Sequence, residues 1–475
     1  MKKIKHIFQM ILQKISAFMD TPFFAILFAA VELFSYYMGL DLVIILFVSI
    51  SLTFAALFKK NLNVLLIIFF FMSSMISYNN SPANTFDWNN NQYYFQPGVF
   101  IPCIIGAAIP ISIIIVRSIM NIVKKRIKFN AVFFSVIALG VAFLINGNFT
   151  SPYNPANLMF GVFMLFFFVI LYFGVAPDVS VNSDNILNIC RSVAIYAIVP
   201  VVETIVIFIK GFAKGLPFAD IRTFYGWGNE NTVGMLLVVI FCFLLYLFRY
   251  EKNLLLKGLS HLMGLLVFIC VILIVSRQAY LFLAALIGAY LLLLIITSKG
   301  KTRIKSIIFL SVLAVAGIAS IIILENDGVL QVLGIDFDNG GRFELWTLTF
   351  DSFVEHPIFG GGFYFLGGDP VIKLDSVMPL CCHNTLFEML GACGIVGLLC
   401  YLTYRTFTVI CIVKNFTKEK LYPIMGLSVM VLMSLIDIHI LDLLGSALYI
   451  MLLAMSMSPK ANDIKTEETK VITQE

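Results

Sequence analysis

Apolar runs of about 17 to 22 residues recur from one end of this chain to the other, and no other feature narrows its folding so sharply. A backbone surrounded by hydrocarbon has no water to bond with, so its N–H and C=O groups must pair within the segment, as an α-helix allows. Of the 475 residues, 60% are hydrophobic and 12% charged, and 46 are Phe. That composition lies outside the range of soluble globular domains. The chain is therefore expected to be all-α, a polytopic membrane protein of about 12–14 transmembrane helices with a long, partly helical extracytoplasmic loop.

The runs place spans near residues 22–39, 41–58, 62–77, 99–116, 130–146, 157–176, 192–209, 232–249, 259–276, 279–297, 306–324, 384–404, 421–437 and 439–457. Residues 1–20 mix Lys with apolar residues at helical spacing and lack a small-residue cleavage site, which predicts a cytoplasmic amphipathic segment rather than a removed signal peptide. Residues 21–457 form the transmembrane domain. Residues 458–475 are expected to be a disordered cytoplasmic tail. The nine Cys residues fall mostly in or beside spans and imply no disulfide framework.

With both ends inside, the clusters Lys59-Lys60, "VKKRIK", "RYEKNLLLK", "SKGKTRIK" and "KNFTKEK" all reach the cytoplasmic face, as the positive-inside rule requires. Lys210, Lys214, Arg222, Arg277, Arg342 and Lys373 are left on the outer side or at its lip. The lysines fit a long exterior loop without further meaning. The arginines do not, because Arg277 directly follows a span and Arg222 and Arg342 sit in aromatic, Gly-rich sequence.

The same face holds loops 78–98, 210–231 and 325–383, and with them all 3 Trp residues, Trp88, Trp227 and Trp346. An interfacial aromatic belt and stacking platforms for sugar rings both account for these. Within the longest loop, Phe343, Trp346, Phe350 and Phe353 recur at helical spacing, so residues 343–355 should form a helix lying along the membrane surface. The turn "DNGG" would hold Arg342 at its start.

No phosphate-binding loop, dinucleotide fingerprint, paired CxxC or HExxH is present, and no repeat of 20 to 50 residues is evident. Asp336 and Asp338 make a D-x-D, but the following turn and helix start account for both, so no metal site is expected. What remains is Arg222, Arg277, Arg342 and His383 on one face. Guanidinium forks match phosphate oxygens, so such arginines can grip a pyrophosphate, and a neutral His can take a proton from a sugar hydroxyl. Outside the cell there is no ATP, so a transferase there needs a donor that carries its own activation. A lipid pyrophosphate does.

His383-Asn384, nine residues "TLFEMLGAC", Gly394, "IV" and Gly397 spell H-[N/S/Q]-x9-G-x2-G. With "RFELW" from Arg342, "HPIFGGG" from His356, "SRQAYLF" from Ser276 and "RTFYGWGNENTVG" from Arg222, the pattern resembles the bacterial O-antigen ligases and Wzy-type polysaccharide polymerases, which are similar to GT-C glycosyltransferases. The matches cover residues 222–400, including the loop 325–383. The resemblance implies that Arg222 and Arg342, with Arg277 as a further family position, bind the lipid pyrophosphate and that His383 activates the acceptor hydroxyl. Trp227, Asn231, Trp346 and Asn384 are the candidate sugar or acceptor contacts. It further implies a bacterial inner-membrane enzyme with its active face outside, using no cofactor. Its expected partners are a lipid-linked oligosaccharide donor, a glycan acceptor, membrane lipids, a flippase and a chain-length regulator, and no nucleic acid.

Gly391, Gly394 and Gly397 recur every three residues below His383, where missing side chains let another helix come close and fix its height. His356 reads as a helix-ending residue. His439, between Asp437 and Asp442, reads as part of a buried polar turn. Glu203 and Glu388 are candidate orienting groups. The expected reaction is polymerisation of capsule, exopolysaccharide or O-antigen repeat units from an undecaprenyl-pyrophosphate donor. The alternatives are a ligase that passes the glycan to lipid A core, or a precursor transporter. A transporter should show mid-membrane ionisable residues and inverted repeats, whereas the unusual residues here gather on one loop system.

Overall fold

The computed structural model describes residues 2–38, 40–75, 97–149, 155–216, 221, 230–274, 276–326, 342–363, 365–366, 369–370, 382–437, 439–441 and 443–460. The helices in chain order are α1 (Lys2–Met19), α2 (Pro22–Met38), α3 (Asp41–Phe58), α4 (Leu65–Met75), α5 (Pro97–Val123), α6 (Ala131–Ile145) and α7 (Pro155–Leu165), which runs through a π-helical stretch (Phe166–Leu171) into α8 (Tyr172–Val175). They continue with α9 (Ile186–Tyr196), α10 (Ile198–Ala213), α11 (Glu230–Tyr250), α12 (Leu254–Ile274), α13 (Arg277–Thr297), α14 (Lys301–Asn326), α15 (Arg342–Glu355), α16 (Thr385–Lys414), α17 (Leu421–Met433) and α18 (Leu443–Met457). The described strands are a two-residue antiparallel pair, β1 (Phe365–Leu366) and β2 (Asp369–Pro370).

Every predicted span falls on one or more of these helices, and the protein is a polytopic helical membrane protein. Among the described residues, 7 helices are long and apolar enough to cross a bilayer alone, or up to 8 if the bent pair Gln9–Met19 and Pro22–Ser35 is one span. Other predicted spans fall on shorter apolar helices, Leu42–Phe58, Ala131–Ile145 and Gly445–Met457. At a rise of about 1.5 Å per residue, a 15-residue helix such as α18 reaches only ~22 Å, so it depends on neighbours to complete its passage. Helix α1 meets α2 at 81° and leaves Ile7, Met10, Ile11 and Phe18 exposed, the geometry of an amphipathic helix turned across the bundle.

The core is built around α11. Its residues Leu237 to Ile240 and Cys242 to Leu244 are all fully buried, because the helix is apolar on every face and is walled by α9, α12, α13 and α17. Polar locks sit at the end of the bundle away from His383. Asp178 pairs with both Arg117 and Arg126. Arg191 donates from Nε and Nη2 to the two Glu251 oxygens at 2.8 and 2.9 Å. That fork holds the Glu251 carboxyl below its ordinary range.

The feature that positions the site is a break in α16. Gly394 has φ 66° and ψ −167°, outside helical geometry, so the helix loses its own backbone bonds there. The segment after α15 replaces them. Ile395 N and Val396 N donate to Pro357 O and Ile358 O at 2.9 and 3.2 Å, and Gly361 N and Gly362 N donate to Gly391 O and Ala392 O at 2.8 and 3.0 Å. A Cβ on Gly394 would collide with the carbonyl of Ile358. The structure therefore separates the three glycines: Gly391 lies against Thr349 of α15, Gly394 makes the break, and Gly397 lies against Cys393 of its own helix.

Gly394→Ala should cost about 2–4 kcal/mol, read as a lowered melting point in detergent, because it adds a clash to a left-handed backbone. Gly288→Ala is the control: its Cβ would face open space, and a helical Gly→Ala change is neutral or gains up to ~1 kcal/mol. Glu251→Gln should lower the melting point at neutral pH. Because the folded carboxyl value is depressed, that stabilisation exists above the unfolded value and is lost as pH falls through the folded one, so the two proteins should converge on acidification.

Candidate active site

His383 sits in a short turn before α16 with φ 53°, a left-handed conformation uncommon outside glycine. The turn is held from several directions. Asn384 is the N-cap of α16: its Oδ1 accepts from Leu386 N and Phe387 N at 2.9 and 3.2 Å, and its Nδ2 donates to Leu435 O at 2.8 Å. Cys382 N donates to Glu388 Oε2 at 2.9 Å, so Glu388 orients His383 through the backbone. Trp346 Nε1 donates to Cys382 O at 2.9 Å, and its ring stacks on Phe387 at 5.1 Å and 5°. Thr385 N donates to Ser434 O at 2.9 Å, which ties α16 to the turn after α17. Such converging bonds maintain a conformation that costs about 1–3 kcal/mol.

That turn delivers the decisive partner. Asp437 Oδ1 lies 3.0 Å from His383 Nδ1, and the carboxylate is nearly closed to solvent while the imidazole keeps a third of its surface. An ionised carboxylate only accepts hydrogen bonds, so Nδ1 carries a proton, and the neutral ring then has its lone pair on Nε2, the tautomer a general base requires. Asp437 Oδ2 accepts from Asn231 Nδ2 at 3.2 Å, and Asn231 Oδ1 accepts from Ser276 Oγ at 2.7 Å. A second buried contact braces the same turn: Gln278 Nε2 lies 3.1 Å from His439 Nε2. An amide nitrogen has only protons to give, so the ring nitrogen accepts.

The structure engages Asn231 and Asn384, expected to touch sugar or acceptor, on protein groups at both ends of their amides. Trp346 braces the His383 turn and stacks on Phe387. Arg342 and Arg277 are the first residues of α15 and α13. Helix starts present N–H groups and the positive end of the dipole, which favour an anion, and both arginines belong to such starts. Arg342 is one helical turn from Trp346, which contacts the His383 turn. Arg277 adjoins Ser276, which is linked through Asn231 to Asp437. Arg222, Trp227 and the pair Asp336 and Asp338 lie outside the described residues. Among the described residues no group of three or more His, Cys, Asp or Glu could hold a metal ion.

Compared with known families, residues 262–402 match the Wzy_C model, described as O-antigen ligase. That segment is similar to the O-antigen ligase family. No curated protein matches the chain. The matched segment holds Arg277, Arg342, Trp346 and His383, and the match supports a function of the ligase or polymerase type in general. Asn231 and Asp437 lie on either side of that segment and reach His383 only through the fold. Sequence reasoning noted Asp437 only as a neighbour of His439. The one signal for it was an ionisable residue at the end of an apolar run.

Asp437→Asn should preserve packing and reverse the tautomer, since the new amide can donate to Nδ1 and push the proton to Nε2. Glycan transfer should fall by roughly a hundredfold or more, measured as initial rate in reconstituted membranes, with an unchanged melting point.

Proposed function

We propose that this protein polymerises surface polysaccharide at the extracytoplasmic face of the bacterial inner membrane, by glycosyl transfer from an undecaprenyl-pyrophosphate-linked donor to a hydroxyl of a glycan acceptor. The observation that carries this reading is the His383–Asp437 pair at 3.0 Å at the entrance to α16, linked through Asn231 to Ser276, the cap of the helix that begins with Arg277. His383 Nε2 takes the proton from the acceptor hydroxyl as its oxygen attacks the anomeric carbon. The bond from that carbon to the phosphate oxygen breaks, and the lipid pyrophosphate leaves with its electron pair. Asp437 stabilises the imidazolium that forms, as a buried carboxylate does beside a catalytic histidine.

In this reading Arg342 and Arg277, with Arg222, supply the positive charge that the leaving pyrophosphate needs, and no cofactor takes part. One well-placed donor contributes about 3–4 kcal/mol to such a transition state. Polymerase is preferred over ligase because nothing in the sequence points to a lipid A partner. Trp346 and Phe387 give the acceptor side a flat aromatic wall.

Purified protein reconstituted with a lipid-diphosphate repeat unit tests this directly, with chain length read on gels. The wild type should build longer glycans, and His383→Ala and Arg342→Ala should each lose activity by about a hundredfold or more. Full activity in His383→Ala would sink the base role, and transfer to lipid A core without elongation would replace polymerase by ligase.

A further inference from the structure

We propose that Asn231 and Ser276 are positioning residues for His383, forming a relay that fixes the orientation of Asp437 and couples it to the start of α13. The inference rests on the transferase reading above for its kinetic consequence, but its geometry is independent of substrate.

The direction of every bond in the relay follows from donor counting. Ala279 N, a backbone donor, points to Ser276 Oγ at 3.4 Å, as the N-cap of α13 requires. Ser276 Oγ thus accepts from the backbone and has its own proton to give, which goes to Asn231 Oδ1 at 2.7 Å. The amide orientation is fixed at its other end, where the acceptor-only carboxylate of Asp437 takes Nδ2 on Oδ2 at 3.2 Å. Asp437 then accepts from Asn231 on one oxygen and from His383 Nδ1 on the other. Together these links hold Asp437 in one orientation, and with it the proton on His383 Nδ1.

The packing is built for the relay. Ser276 is 1% exposed and Asp437 4% exposed, so the two residues that Asn231 joins are shielded from water. Gly234 stands one turn along α11 from Asn231, where a Cβ would come within 2.7 Å of Ala279 Cβ and 3.3 Å of Ser276 Oγ. The missing side chain lets the start of α13 approach α11 closely enough for the 2.7 Å bond. Because Ser276 caps the helix whose first residue is Arg277, the candidate anion site and the base share one hydrogen-bonded frame. A rotation of the α13 start would pull on both.

The test uses the full chain in lipid with two variants, Asn231→Leu, which keeps the volume and removes both amide bonds, and Ser276→Ala. Asn231→Leu should lower kcat for glycan elongation by about tenfold to a hundredfold, with KM for the lipid-linked donor within about twofold of wild type. Ser276→Ala should act in the same direction and more weakly. A second readout needs no substrate: treatment with diethyl pyrocarbonate, followed by peptide mass spectrometry of His383. In the wild type Nδ1 is held by Asp437, so a single adduct is expected. In Asn231→Leu the ring is released and a double adduct should appear. Wild-type values of both readouts, or a fall in kcat with an unchanged adduct pattern in both variants, would overturn the positioning role. If the wild type fails to elongate glycan while the adduct pattern still changes, the transferase reading fails and the relay stands.

Discussion

A chain enclosed by hydrocarbon must satisfy its backbone from within, and the break in α16 at Gly394 is where that constraint shapes this molecule most. The helix gives up its own bonds there and takes them from residues 357–362 instead. One exchange thereby fastens α15 and its tail to α16. The His383 turn, the Trp346 contact and the Asn384 cap are all arranged from that fixed point, because α15 and α16 can no longer slide past one another.

The site that results is assembled from parts that are cheap to hold and distant in the chain. The turn before α16 contributes His383 in a left-handed conformation, the turn after α17 contributes the carboxylate, and α11 and the α13 cap contribute the groups that orient it. A general base needs a lone pair aimed at substrate, and low exposure around Asp437 makes each of these bonds stronger than it would be in water. The helix starts at Arg277 and Arg342 add positive ends to the same frame, a complement to the base in any transfer from a pyrophosphate.

Several residues changed meaning between sequence and structure. Asn384 and Asn231 have the chemistry of sugar contacts, yet both amides are occupied by protein, one as a helix cap and one as a link to Asp437. The three glycines after His383 share a spacing but not a task, since only Gly394 has a backbone that leaves the helix. Spacing reports which residues share a face. It does not report where a helix breaks, because a break is decided by the segment that arrives to replace the lost bonds.

The amino-acid order by itself determined that the chain is helical and membrane-embedded, because apolar run length and the need for internal hydrogen bonds leave few other solutions. It also marked His383, Arg277, Arg342 and Trp346, since their motif lies within one continuous segment that a family pattern can match. Asp437, Asn231 and Ser276 became partners of His383 only in the folded bundle. They are separated from it by 54, 152 and 107 positions along the chain, and no periodicity reaches across such distances. Tertiary packing alone, through the Gly234 approach and the turn after α17, brings a carboxylate within hydrogen-bond reach of that imidazole.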